Sequence, residues 1–428
     1  MKIHYLYNEK LPKRTAHDAY VWRNCYFLSQ LDQEVSLITG SNQSTFAAMQ
    51  KHYLPHDNLQ AQERIPFNFF QRLLGLKGEF SFRKIEKHFS CFFYWIKFPL
   101  IRKSFFKISW NYPFFWLCQQ WLKITQPDWA IFSVYKQASY HFKRPISQVL
   151  YCFEVHDLAW YPLHINDTFS WRHLDQQNHQ RLLLQKRTLE RANCVTVTTN
   201  FLKKILCNSP FNLTCPIHVI PLASEVMRLK RPILGDHIQL TYVGQLYPDQ
   251  GVDRLIEALA HVPGIHLKII GGQTSDINRL QSLISQLALT NRIYLHGFVS
   301  PSLIPSLLHS THALAAPFYP TPHMRCVAHT KLADYGKWAL PVIAPRLENV
   351  LEEVWIDDYL FDASDYPNSI RSLVAALHQL LNKEALLKSY DVIDQKMDQA
   401  PNRFSWHQRS IDLSQILKDL RYRNDSHQ

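Results

Sequence analysis

From residue 238 onward, short apolar runs alternate with longer stretches of helical periodicity. The runs 238–243, 265–270 and 292–297 each close on glycine, at Gly244, Gly271-Gly272 and Gly297. Two more runs fall at 312–317 and 340–345. Between them, 253–260, 276–288, 301–309 and 330–338 place apolar residues three and four apart, the period of an amphipathic helix. Asp276 is expected to cap the second of these helices. Regular strand–helix alternation with short turns predicts an α/β fold with a parallel, doubly wound sheet.

The first half repeats the pattern more loosely. Strands are expected at 2–7, 34–39, 130–135, 148–154 and 194–198, with helices at 15–31 and 171–192. Residues 64–123 read as an insertion between early strands. Eight of the eleven glycines lie between Gly235 and Gly336, and none between Gly78 and Gly235. That contrast puts a boundary near 235, with Arg228 to Gly235 as the linker. The expected organisation is a Rossmann-like domain over 1–227 and a second over 236–400. A final helix over 401–428 is expected to pack back toward the first domain.

Composition narrows the class. A chain of 428 residues, 46% hydrophobic and 19% charged, can build two substantial cores. Its eight cysteines form no Cys-x-x-Cys pair, which fits a reducing compartment better than a disulfide framework or zinc site. The first residues read as a strand rather than a signal peptide, and the apolar block at 91–101 is interrupted by Lys97 and short for a membrane span. A cytoplasmic location is expected. The net charge of +12 is concentrated: residues 64–123 hold eleven Lys or Arg against Glu79 and Glu86, together with nineteen aromatics. This mixture suits an anionic membrane surface, a core with a basic exterior, or a nucleic-acid surface.

Ligands of open α/β sheets bind beyond the carboxyl ends of the strands, and two facing domains make a cleft there. Gly244, Gln245 and Gly272 fall at such ends, where glycines let backbone N–H groups approach a phosphate. Lys331 and Asp334, three apart near the start of one helix, suit a diphosphate and a ribose; their bland alternative is a surface ion pair. In the first half, His156 and Asp157 follow a predicted strand. A histidine there can touch a reacting sugar or relay a proton.

The segment Tyr-Val-Gly-Gln-Leu-Tyr-Pro-Asp-Gln-Gly-Val-Asp-Arg-Leu-Ile-Glu-Ala-Leu at 242–259 resembles the nucleotide-binding domain of GT-B glycosyltransferases. The match is to the retaining family 4, the glycosyl transferases group 1. Leu-Lys-Ile-Ile-Gly-Gly at 267–272, Ile-Tyr-Leu-His-Gly-Phe-Val at 293–299, Ala-Leu-Ala-Ala-Pro at 313–317, Lys-Leu-Ala-Asp-Tyr at 331–335 and Leu-Pro-Val-Ile-Ala at 340–344 follow in the family's order. Lys-Arg-Thr-Ala-His at 13–17, Glu-Val-His-Asp at 154–157 and Phe-Ser-Trp at 404–406 carry a weaker likeness.

The resemblance implies two Rossmann-like domains facing a cleft. It implies transfer of a sugar from a nucleotide-diphosphate donor, without cofactor or metal, to a polysaccharide, lipopolysaccharide or lipid-linked acceptor. With the basic aromatic stretch, the expected place of work is the inner membrane surface. Phe298 would meet the base, Asp334 the ribose and Lys331 the diphosphate, with Gly244, Gln245, Gln250 and Gly272 around them. His156 would face the reacting sugar, and Arg14, His17 and Asp157 would line the acceptor side. The family's cations in the first loop appear here as Gln245 and Gln250, and one family glutamate falls near Cys326. Arg325, His329 and Lys331 are placed to compensate. The alternatives are a catalytically silent sugar- or nucleotide-binding protein, or a sugar-nucleotide epimerase.

Overall fold

Two parallel sheets, each flanked by helices, organise the chain. The computed structural model describes residues 1–7, 16–31, 33–39, 89–91, 111–159, 176–208, 210–224, 227–300, 303–364, 366 and 369–426. The first sheet contains β1 (Lys2–Tyr7), β2 (Glu34–Thr39), β3 (Phe89–Cys91), β4 (Trp129–Phe132), β5 (Leu150–Val155), β6 (Cys194–Val197) and β7 (Ile217–Val219), in the order β3-β2-β1-β4-β5-β6-β7. The second contains β8 (Ile238–Val243), β9 (Ile265–Ile270), β10 (Ile293–Gly297), β11 (Ala313–Ala315), β12 (Val342–Pro345) and β13 (Leu360–Phe361), in the order β10-β9-β8-β11-β12-β13. The order reverses between β1 and β4 in one sheet and between β8 and β11 in the other. Those switch points are where crevices form.

Strands covered on both faces need apolar residues at nearly every position. In β5, Tyr151, Phe153 and Val155 enter one core layer while Leu150 and Cys152 enter the other. The exception is Glu154, a buried carboxylate on the second face. Helix α1 (Ala16–Ser29) covers that face. The other face carries α2 (Asn111–Thr125), α3 (Tyr135–Phe142), α4 (Gln176–Leu189) and α5 (Asn200–Cys207).

The second domain adds α6 (Val252–Leu259), α7 (Thr274–Gln286), α8 (Ile304–Leu307), α9 (Pro322–Cys326), α10 (Thr330–Trp338), α11 (Glu348–Leu351), α12 (Arg371–Leu380) and α13 (Lys383–Gln399). In α6, Val252, Leu255, Ile256 and Leu259 bury one stripe, as their spacing requires. The last helix, α14 (Trp406–Ser426), returns to the first domain. Its Trp406, Leu413 and Leu417 join the core beneath α1, and Trp129 Nε1 donates to Leu417 O at 3.1 Å. At the junction, Ser224 N donates to Phe404 O, so the two chain crossings between domains lie side by side.

Several expectations are corrected. The stretch 64–123 is not simply an insertion: Phe89–Cys91 pairs with β2 as the sheet's edge, and α2 closes a βα unit. Its remaining residues lie outside those described. The helix expected from 276 begins at Thr274, so Asp276 sits in the first turn instead of capping it. The helix at 301–309 is reduced to Ile304–Leu307. The strand expected over 130–135 stops at Phe132, and α3 starts at Tyr135. Strand β7 carried too short a pattern to stand out.

Candidate functional site

At the switch point of the second sheet, the hydroxyl of Tyr335 joins two strand ends. It accepts from Val243 N (2.9 Å) and lies 3.0 Å from Ala315 O, the acceptor its own proton suits best. Four residues earlier on α10, Lys331 reaches over the end of β8. Its Nζ donates to Tyr242 Oη (2.6 Å) and Gln250 Oε1 (2.8 Å), and lies 3.9 Å from the centre of the Tyr242 ring. Tyr242 passes the chain on, donating to Gln245 O. Gly244 has φ +146°, and a Cβ there would stand 3.0 Å from Lys331 Cε. A side chain at 244 would therefore displace the lysine.

This ammonium is unusual in its company. Both hydrogen-bond partners are neutral, and among the described residues no carboxylate lies within ion-pair distance. Burial lowers the Lys331 pKa to about 7, with Asp249 pulling it back up. A cation out of water without a counter-ion is costly, and an anion brought to it is correspondingly favoured.

The other donor-side candidates divide. Gln250 joins Lys331 directly, and Gln245 is exposed beside it. Gly272 has φ +86°, a backbone conformation that favours glycine, and a Cβ there would also fall 2.3 Å from Leu246 Cδ1. Phe298 follows β10 with 73% of its surface exposed. Asp334 does not pair with Lys331. Its Oδ1 accepts from Ser224 Oγ (2.7 Å) and lies 3.3 Å from Lys337 Nζ, and its side chain is 48% exposed at the domain junction. The ion pair considered between Lys331 and Asp334 is absent.

His329, the residue before α10, is held by the buried Glu353. The two Glu353 oxygens take His329 N (2.6 Å) and Nδ1 (2.7 Å), and the Phe318 ring stacks on the imidazole at 4.2 Å. Arg325 is half-buried on α9 and has no ion-pair partner among the described residues. Its neighbour Cys326 is part of the first domain's core, and burial pushes its thiol up to about 12.

On the first domain, His156 follows β5 and is 17% exposed. Its ring stands edge-on to Tyr20 at 4.3 Å, and its Nε2 lies 3.9 Å from Glu154 Oε2. Desolvation raises the Asp157 carboxyl, and His323 of α9 with His156 pull it down, so the second domain's α9 faces this strand end. Arg14 lies outside the described residues, and His17 is in α1 with its side chain outside them. A cavity of about 320 Å³ between the domains is lined by Thr198, Leu222, Ala333, Glu352, Glu353 and Arg403, among others. It touches neither Lys331 nor His156.

Tyr242, Tyr335 and Glu353 escaped the sequence reading. Tyrosine at a core position of a strand or helix is indistinguishable from core until its hydroxyl finds a partner. Glu154 did carry a signal, since a carboxylate at an inward position of an apolar strand demands counter-groups.

Comparison with known proteins places this geometry. The family of glycosyl transferases group 1 matches residues 224–396. Sucrose-phosphate synthase from Thermosynechococcus elongatus is similar in structure, with TM-score 0.65, 15% identity and 98% of each chain covered. So is the Anabaena protein HepE in complex with UDP and glucose, with TM-score 0.64, 15% identity, 98% of this chain and 100% of that one. The lipopolysaccharide outer core galactosyltransferase WaaB in its apo form follows, with TM-score 0.61, 15% identity, 97% of this chain and 100% of that one. Comparison with curated protein sequences found no match. The chain has the GT-B fold, two Rossmann-like domains, and its second domain resembles glycosyl transferases group 1.

Proposed function

We propose that this protein is a glycosyltransferase that takes a nucleotide-diphosphate sugar at the carboxyl ends of β8, β9 and β10. One observation carries the reading: Lys331 is a desolvated cation with neutral partners, at the switch point of the sheet, in the domain that matches the family. Lys331 would meet the diphosphate, aided by the N-terminal end of α10, whose dipole favours negative charge. Phe298 would lie against the base. Asp334 would turn from Ser224 to the ribose. HepE, with UDP and glucose bound, supports a nucleotide-sugar donor at a site of this architecture.

In the transfer, the bond between the sugar's C1 and the diphosphate oxygen breaks, and its electron pair leaves with the diphosphate. An acceptor hydroxyl oxygen forms the new bond to C1, and its proton passes to the departing diphosphate oxygen. Lys331 would stabilise the charge growing on the leaving oxygens, the larger part of catalysis in such sites. His156, across the cleft, would face the sugar, with Asp157, Arg14 and His17 on the acceptor side. Retention of configuration is part of the proposal and follows from the family likeness.

The acceptor we favour is a glycan or lipid-linked saccharide at a membrane surface. The basic aromatic stretch over 64–123 supports that placement, and WaaB is named for a lipopolysaccharide core. Among the described residues no helix is long and apolar enough to cross a membrane. A second reading has its own observation: Gln245 and Gln250 stand where the family has cations, and Cys326 is a buried thiol. On that reading the protein binds the nucleotide without turning it over.

Calorimetry with UDP, UDP-glucose, ADP-glucose and GDP-mannose separates these outcomes. Tight binding of one, weakened about 10–100-fold in Lys331→Ala, is expected from loss of a charge-assisted contact. No binding by the wild type overturns the donor site. Binding without release of nucleoside diphosphate, in the presence of acceptor-bearing membranes, favours the second reading.

A further inference from the structure

The buried carboxylate of Glu154 has a set of partners larger than strand packing needs. Its Oε1 accepts from Tyr20 Oη (3.1 Å), Asn24 Nδ2 (3.3 Å) and Arg409 Nη2 (3.4 Å). Its Oε2 accepts from Tyr5 Oη and lies 3.9 Å from His156 Nε2. Arg409 is equally committed. Nε donates to Asn24 Oδ1 (3.1 Å), Nη1 to Ile220 O and Pro221 O (2.5 and 2.6 Å), and Nη2 to the Tyr20 hydroxyl. Both charged groups are at least nine-tenths buried. Tyr20 completes the connection: its hydroxyl is held by Glu154 and Arg409, while its ring meets His156 edge-on.

Stability alone is a poor reason for such a cluster. Two charges taken out of water recover their desolvation only with good geometry, and apolar residues of similar volume commonly serve as well or better. What apolar residues would not supply is a fixed direction. Glu154 is the penultimate residue of β5, and His156 is the first residue beyond that strand. Arg409 arrives from α14, after the chain has completed the second domain.

We infer that Glu154, Tyr20 and Arg409 are positioning residues for His156, and that the C-terminal helix thereby supplies part of the first domain's half of the site. The inference rests on the transferase reading and on the place of His156 in it. Arg409 holds Glu154 and the Tyr20 hydroxyl; the Tyr20 ring then packs edge-on against the imidazole, with the Glu154 carboxylate 3.9 Å from its Nε2 as a charge beyond hydrogen-bond distance. None of the three touches substrate. Their effect appears in the reacting geometry and not in donor binding, which belongs to the second domain.

The test compares wild type with Glu154→Gln, Tyr20→Phe, Arg409→Lys, Arg409→Met and His156→Ala. UDP-glucose, ADP-glucose and GDP-mannose are the probes, turnover is read as nucleoside diphosphate release, and affinity is measured by calorimetry. Glu154→Gln and Tyr20→Phe keep shape while removing a charge or one hydroxyl, so they guard against variants that do not fold. We expect kcat to fall about 10–100-fold in Glu154→Gln, the scale of misplacing a reacting group by about an ångström. Nucleotide affinity should stay within about threefold, and Arg409→Lys should retain more turnover than Arg409→Met. Unchanged kcat in Glu154→Gln, with activity lost in His156→Ala, overturns the inference and leaves the transferase reading standing. A parallel loss of kcat and nucleotide affinity makes the cluster structural only and also overturns it. Absence of wild-type turnover overturns the transferase reading, and this inference with it.

Discussion

At the residue scale, the chemistry turns on how much water each ionisable group has lost. Lys331 has a folded-state pKa of about 7, below its ordinary value, because burial penalises the ammonium. In the free protein the charge is therefore lost as pH rises through 7. An anion at Nζ draws the proton back, so nucleotide binding should take up protons above pH 7, and affinity should fall by up to about tenfold per pH unit there. Calorimetry at pH 8 in buffers of different ionisation enthalpy checks this; an enthalpy independent of buffer would remove Lys331 as the titrating contact. Glu353 presents a different case. It satisfies the His329 backbone N–H and imidazole in a buried place. Glu353→Ala should cost about 1–3 kcal/mol of stability, measured by urea unfolding, because it strands those donors.

At the scale of elements, the layer of α2 and α3 over the first sheet contains polar groups that an apolar pattern does not announce. His4 on β1 and His141 on α3 are buried, and burial lowers both pKa values to about 3. Both folded values lie below the unfolded one, so the unfolded chain binds protons first as pH falls. Stability from this layer is present above about pH 6.5 and declines toward pH 3, by roughly 1.4 kcal/mol per pH unit for each histidine. Urea midpoints at pH 7 and pH 5 should differ accordingly, and His141→Leu should reduce the difference. The helices themselves were legible where apolar spacing ran long. Residues 330–338 were bounded as they fold, since Leu332, Tyr335 and Trp338 mark a buried stripe. Short segments such as Ile217–Val219 and Ile304–Leu307 were not, because three or four residues fit several conformations and neighbours decide among them.

For the whole molecule, the relation of the domains depends on a few contacts across the junction. Glu352 of the second domain caps α5 of the first: its oxygens accept from Asn200 N (2.7 Å), Asn200 Nδ2 (2.9 Å) and Phe201 N (3.0 Å). Lys204 and Glu348 add an exposed ion pair at 3.6 Å, a minor term. Glu352→Ala should loosen this contact and cost about 1 kcal/mol, the worth of a helix cap. A lower unfolding midpoint, with a larger radius of gyration by X-ray scattering, is the expected outcome. An unchanged radius of gyration would show that other contacts hold the domains.

By itself, the sequence determined the parallel α/β character of both halves and most of the strands and helices that build them. Those features are written in local periodicity, glycine turns and the order of motifs, which depend on neighbours a few residues apart. Only the tertiary structure decided which groups meet. It turned Asp334 toward Ser224, gave His329 to Glu353, left Lys331 with neutral partners, and brought Arg409 from the last helix to Glu154, 255 positions away. Spacing along the chain has no bearing on such pairings. They follow from how the sheets stack their helices and from where a buried charge finds enough donors to be satisfied.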